Sequence, residues 1–270
     1  MKQKIRINAD DAGISLGVNS AIKQMALSRN LDSISVMVNG FYVQDIADFC
    51  RNHNALQVGL HLNFTTGASI LGHQKLPNIT HQDGTFKYGF FMLFLLAIFK
   101  RSKIITEVAM ETDAQICALK SLGLTAEHLD GHRHIHFIPN IFSAVQKIAN
   151  NHKIYEIRVI NENVLNTLLK CRNISWIFNG NLIKLMVLRF CGLLNGSRKL
   201  QTKSYFFSIL HTCKITNRIT RNLAIPKKFD SMEIMIHPGN SQIDRCDTNI
   251  IYETSHLTSK NRDLEGDFIK

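Results

Sequence analysis

Apolar and polar positions change period several times along this chain of 270 residues. From Lys4 to Ala9 they alternate and include β-branched side chains, which predicts a strand. Leu16 to Ser28 follows at helical spacing, with Ser15 placed to cap it. Ser33 to Val38 and Gln57 to Asn63 read as two further strands, separated by a helix near Val43 to Asn52. Ser102 is placed to cap a helix running to about Leu122. In it Ile105, Val108, Ile116 and Leu119 keep helical spacing, and Gly123 supplies the stop. A strand around Glu127 to Asp130, a helix after Pro139, a strand around Glu156 to Ile160 and a late strand from Met232 to Ile236 complete the series. Strands alternating with helices imply an α/β fold with a parallel sheet, open or closed into a barrel. Gly67 to Lys87 reads as a long loop, and Asn163 to Pro226 as an inserted helical cap.

Composition narrows the class. With 45% hydrophobic and 20% charged residues the chain can bury a sizeable core. The apolar runs Phe90 to Phe99 and Leu185 to Leu194 fall short of the ~20 residues a membrane-spanning helix needs. Met1 to Asp11 has no apolar signal core, and the six cysteines are scattered with no C-x-x-C spacing. That argues against a cysteine zinc site and fits reduced thiols in a cytoplasm. The net charge of +11 is localised: Val164 to Lys228 contains no Asp or Glu but twelve Lys and Arg, while the remainder is close to neutral. Such a block suits an anionic partner, whether nucleic acid, a phosphorylated ligand or a membrane surface, or it is a basic surface without a partner. The apolar stretch from Trp176 to Leu194, interrupted by Lys184 and Arg189, reads either as a buried cap helix or as a segment lying on a membrane or gripping a lipid-phosphate-linked glycan.

The chemistry concentrates in four segments. Asp10 and Asp11 close the first strand, His61 lies in Gly59-Leu60-His61-Leu62-Asn63 at the end of the third, and His237-Pro238-Gly239 ends the late strand. The fourth, His128-Leu129-Asp130-Gly131-His132-Arg133-His134-Ile135-His136, holds four of the twelve histidines. In parallel α/β folds ligands bind beyond the carboxyl ends of the strands, so these segments converge on one mouth. Taken singly, the aspartate pair reads as a turn and His61 as a core histidine. The histidine run differs: in extended chain its alternate positions, with Asp130, share one face, and imidazoles beside a carboxylate fit a divalent metal. Gly13-Ile14-Ser15-Leu16-Gly17 also fits the nucleophile-elbow pattern of a serine hydrolase, but gives no unique triad and leaves the aspartates unexplained.

The segments N-A-D-D, G-L-H-L-N-F-T, H-L-D-G-H-R-H-I-H and H-P-G, in this order from Arg6 to about Phe268, resemble the YdjC/ChbG family of carbohydrate deacetylases. The middle of the chain is similar to the hopanoid-associated HpnK branch. The resemblance implies a (β/α) barrel-like single domain over 1–270, with 163–228 as a basic helical cap. It implies a hydrolase that removes an acetyl group from an N-acetylated sugar, an oligosaccharide or a lipid-phosphate-linked glycan, using one Mg2+ or Zn2+ ion. Asp10 would be the general base. Asp11, His61 and His132 would hold the metal, and His237 would be the general acid or stabilise the leaving group. Arg158 would keep Asp10 ionised, and His128, Asp130, His134 and His136 would support the ligands or line the sugar pocket. Spacing alone does not decide which of His132, His134 and His136 ligates. The family has an aromatic residue after the aspartate pair, where this chain has Ala12. Another metal-dependent amidohydrolase, a phosphodiesterase, or a basic protein binding a membrane or nucleic-acid surface are the competing readings. Without an RNP motif, zinc finger or clear helix-turn-helix, no specific nucleic acid is expected. The expected location is cytoplasmic, with peripheral contact at a membrane as an additional reading and a homodimer among the oligomeric states the sequence allows.

Overall fold

The computed structural model describes residues 4–53, 56–99, 101–171, 180–196, 204–221, 223–249 and 252–267. Among these, seven strands form one parallel sheet: β1 (Lys4–Ala12), β2 (Ser33–Val36), β3 (Gln57–Leu62), β4 (His128–Gly131), β5 (Glu156–Ile157), β6 (Ser204–Phe207) and β7 (Ser231–Ile236). Their order is β5-β4-β3-β2-β1-β7-β6, so the first strand lies inside the sheet and the edges are β5 and β6. The sheet curls into a half-barrel flanked by helices, the open form of the two architectures the alternation allows. β1 to β4 are buried almost throughout, as strands covered on both faces must be.

The flanking helices are α1 (Leu16–Leu27), α2 (Val43–Asn52), α3 (Phe90–Phe99), α4 (Arg101–Ser121), α5 (Ile141–Asn151), α6 (Val164–Cys171), α7 (Asn181–Leu194), α8 (Asn217–Thr220), α9 (Ser241–Cys246), α10 (Thr254–Leu257) and α11 (Lys260–Gly266). Ser15 caps α1 as its position predicts, its side chain accepting from the Val18 amide. Helix α4 already begins at Arg101, so Ser102 lies inside it, and the apolar run before it is itself the helix α3. The stretch 163–228 carries α6, α7 and α8, and also β6, an edge strand whose short Ser-Tyr-Phe-Phe sequence has no polar alternation to announce it. Trp176, Arg198 and Lys199 lie outside the described residues. Among the described residues no helix is long and apolar enough to cross a membrane.

One expectation needs correction. The histidine run does not continue as extended chain: β4 stops at Gly131, and His132–Phe137 turns as a 3-10 helix with Arg133 and His134 at φ 53° and 59°. Its histidines therefore scatter instead of sharing one face.

Candidate metal centre

The mouth is built by an irregularity in β1. Ala9 pairs with Ile34 and Ala12 with Val36, so β1 carries one residue more than β2 between these points. Asp11 takes up the extra length at φ 64°, in the left-handed region that carboxamide and carboxylate side chains enter most readily. The bulge turns both aspartates onto the carboxyl end of the sheet, where β3 delivers His61 and the end of β4 delivers His132.

Asp11, His61 and His132 are all buried, with one nitrogen or oxygen from each within 4.8 Å of the others. The Asp11 Oδ1 atom stands 3.2 Å from His61 Nε2 and 2.8 Å from His132 Nδ1. The other nitrogen of each imidazole meets a carboxylate: His61 Nδ1 lies 2.7 Å from Asp130 Oδ1, and His132 Nε2 lies 2.8 Å from Glu253 Oε1. A carboxylate behind a histidine fixes its tautomer and ring plane and makes the opposite nitrogen a better ligand. The arrangement therefore fits a divalent ion held by three protein ligands, and among the three histidines left open by spacing His132 is the one beside Asp11. A second group, Asp10, His61 and Asp130, meets the same distance criterion and shares His61.

Charge balance supports that fit. Burial would lower the pKa of His61, but the Asp130 and Asp10 carboxylates raise it to about 10. Burial likewise opposes protonation of His132, and Asp11 and Glu253 overcome it. The field that draws protons onto these rings is the field a cation would satisfy. Burial raises Asp11, yet His132 and Arg262 hold it well below the usual carboxylate range. Arg262 is fully buried and ion-paired to Asp11 Oδ2, with His256 Nε2 at 3.0 Å from the same nitrogen.

Asp10 sits beside this cluster on a different set of partners. The Arg158 fork donates to both its oxygens at 2.7 and 2.8 Å, and Asn8 donates at 2.8 Å. Arg158 also pairs with Asp130 at 2.6 Å and Glu233 at 2.7 Å, so one buried guanidinium serves three carboxylates. Burial, opposed by Arg158 and reinforced by Asp130, leaves Asp10 above its ordinary pKa. Asp130 itself lies well below its own, because Arg158 and His61 outweigh its burial.

The other predicted residues take separate places. His128 is buried against Gly59 and contacts Ser35 Oγ at 3.2 Å, and burial lowers its pKa. His136 bonds the Arg158 carbonyl at 3.1 Å, and burial holds it at about 4. His134 packs edge-on to Phe206 with its Nδ1 unpartnered. His237 ends β7, its amide donating to Glu265 Oε2 at 2.5 Å and its buried Nδ1 without a hydrogen bond. Burial puts the His237 ring well below the usual histidine range. Ser15 is wholly buried and bonds Asp244 at 3.1 Å, so it is a helix cap and not an exposed nucleophile. Sequence reasoning missed Glu253, Arg262 and Glu233, none of which stands in a spacing pattern.

The family model described as YdjC-like protein matches residues 4–268. A carbohydrate deacetylase of Vibrio parahaemolyticus is 34% identical over 152 residues, 56% of this chain and 57% of that protein. One of Clostridium beijerinckii is 24% identical over 265 residues, 97% of this chain and 90% of that protein. The chain thus spans a little over half the length of the Vibrio relative that it matches. Among solved structures, a protein of Enterococcus faecalis described as a candidate for cellobiose-phosphate cleavage superposes with a TM-score of 0.66 at 18% identity, over 100% of this chain and 97% of that one. That likeness concerns the fold.

Proposed function

The chain belongs to the YdjC-like family, and from that premise we propose that it is a carbohydrate deacetylase, a hydrolase that frees acetate from an N-acetylated sugar. The observation that carries the proposal is the carboxylate-backed triad of Asp11, His61 and His132 with a separately held carboxylate, Asp10, beside it. The relatives' printed names support the same reaction.

The triad would hold one divalent ion, Mg2+ or Zn2+. When bound, such an ion polarises an amide carbonyl and makes a water molecule acidic enough to attack it near neutral pH. Asp10 is the general base. Arg158 and Asn8 fix its orientation, and its raised pKa makes it the better acceptor of the water proton. The same carboxyl can pass that proton to the departing amine nitrogen, which restores the base. His237 is assigned to the leaving nitrogen. Its ring rests neutral, so it stabilises that group by contact and acts as an acid only after taking up a proton. Asp130 and Glu253 orient the two histidines, while His128, His134 and His136 support the floor of the site. In this reading the acid-free stretch 163–228 would favour substrates bearing an anionic group, such as a glycan on a lipid phosphate. Six free cysteines suit a reducing cytoplasm.

The test is acetate release from a panel of N-acetylated oligosaccharides and glycolipids by metal-loaded and chelated protein. Release that stops on chelation and returns with metal is expected. No acetate from any substrate, despite bound metal, would transfer the assignment to another metal-dependent hydrolase.

A further inference from the structure

Helix α7 is apolar on both of its sides. Leu185, Leu188 and Cys191 are buried with Phe137 and Phe206 in a second core cluster. On the opposite side Ile183, Met186, Phe190 and Leu193 recur at three- and four-residue intervals, and they are 68%, 62%, 51% and 54% exposed. An amphipathic helix on a globular protein would carry polar residues there, so a sustained apolar stripe facing water calls for a partner. The same feature appears on two neighbouring helices. Phe90 and Phe94 of α3 pack on the cluster that holds Leu185 and Leu188, while Phe91, Met92 and Phe99 stand exposed, the last at 79%. Leu165 and Leu169 of α6 are exposed, and with Leu193 of α7 they line a groove of about 790 Å3 that also includes Arg189 and Lys228.

The charge around these stripes identifies the occupant. Between Val164 and Lys228 there is no carboxylate, and Lys170, Arg189, Lys227 and Lys228 are exposed. Lys103, one turn beyond α3, is exposed as well. A second copy of the chain meeting this face would set one acid-free basic surface against another, which like charges oppose. Nucleic acid would satisfy the cations and leave the leucines, methionines and phenylalanines in water. An interface that takes large apolar side chains below a rim of Lys and Arg is the surface of a bilayer containing anionic lipid. We infer that α3, α6 and α7 form a membrane-docking face for anionic phospholipid. The inference stands on surface chemistry and is independent of the reaction assigned to the site.

The experiment is flotation of the full chain with vesicles of phosphatidylcholine alone or mixed with phosphatidylglycerol, at low and high salt. The chain should float with the anionic vesicles at least tenfold better than with the neutral ones, and salt should reduce but not abolish the difference. The Ile183→Glu/Phe190→Glu double variant should stay at the bottom, with unchanged thermal melting and unchanged metal binding. A second pair, Phe91→Glu/Leu169→Glu, tests the neighbouring helices should the first fail to fold. Arg189→Glu/Lys228→Glu should lose the preference for anionic vesicles. Wild-type protein that never floats, or an apolar-face variant that floats as well as wild type, overturns the inference. So does a wild-type dimer that these substitutions dissociate without changing flotation.

Discussion

His61 links the site to pH. Its raised pKa, about 10 against the ordinary 6.5, means that the folded metal-free protein holds a proton there which the unfolded chain would release. The resulting stability is fully present below about 6.5 and is lost as pH rises through about 10. A metal ion held by His61, as proposed, would displace the same proton, so its affinity is predicted to rise with pH across that window, and binding at pH 7.5 should release protons. Calorimetric titration in buffers of different ionisation enthalpy measures this. An enthalpy independent of buffer would show that the histidines bind no proton in competition with the metal. Asp10, Asp11, His61 and His132 stood out in the sequence because each lies at a strand end beside turn-forming chain, while the roles expected of them came from the family resemblance. Glu253 and Arg262 did not, because they reach His132 and Asp11 across 121 and 251 residues, and no local pattern records a contact of that range. Arg158 entered through the family resemblance alone, which paired it with Asp10, and its further pairing with Asp130 and Glu233 had no local signal.

Each element that places these groups can be tested in turn. A Cβ at position 59 would overlap the imidazole of His128, so Gly59 lets β3 and β4 close up and sets His61 two residues on. Gly59→Ala is expected to cost about 1–3 kcal/mol in urea denaturation, as overpacking does, and to weaken metal binding through displacement of His61. Unchanged stability and metal affinity would mean that the strand pair has slack that the close contact denies. Ser15→Ala removes the cap of α1 and should cost about 1 kcal/mol while acetate release stays at the wild-type level. Loss of activity with stability intact would revive a serine nucleophile. Helix and strand periods were readable over α1, α2, β1 and β3, where amphipathic or alternating faces meet one core. They failed where long-range packing decides. The histidine run alternates as a strand would, yet Arg133 and His134 turn back at positive φ. β6 is a strand because β7 offers it an edge to pair with.

At the scale of the whole molecule, an open parallel sheet gathers its chemistry at the carboxyl end of the inner strands, with β1 flanked by β2 and β7. The sequence alternation foretold that arrangement but not the order of the strands, which depends on crossovers that no local period encodes. In the function proposed above, the mouth separates two tasks: Asp11, His61 and His132 would hold the ion, and Asp10, tied to Arg158, would take the proton. That division of labour is the central claim, and acetate release by the metal-loaded Asp10→Asn variant, with bound metal determined on the same sample, tests it most directly. The account predicts about one ion per chain, as in the wild type, with release reduced by roughly 10²–10⁴-fold, the usual range for loss of a general base. Acetate release close to that of the wild type, or loss of the ion together with the activity, would contradict it.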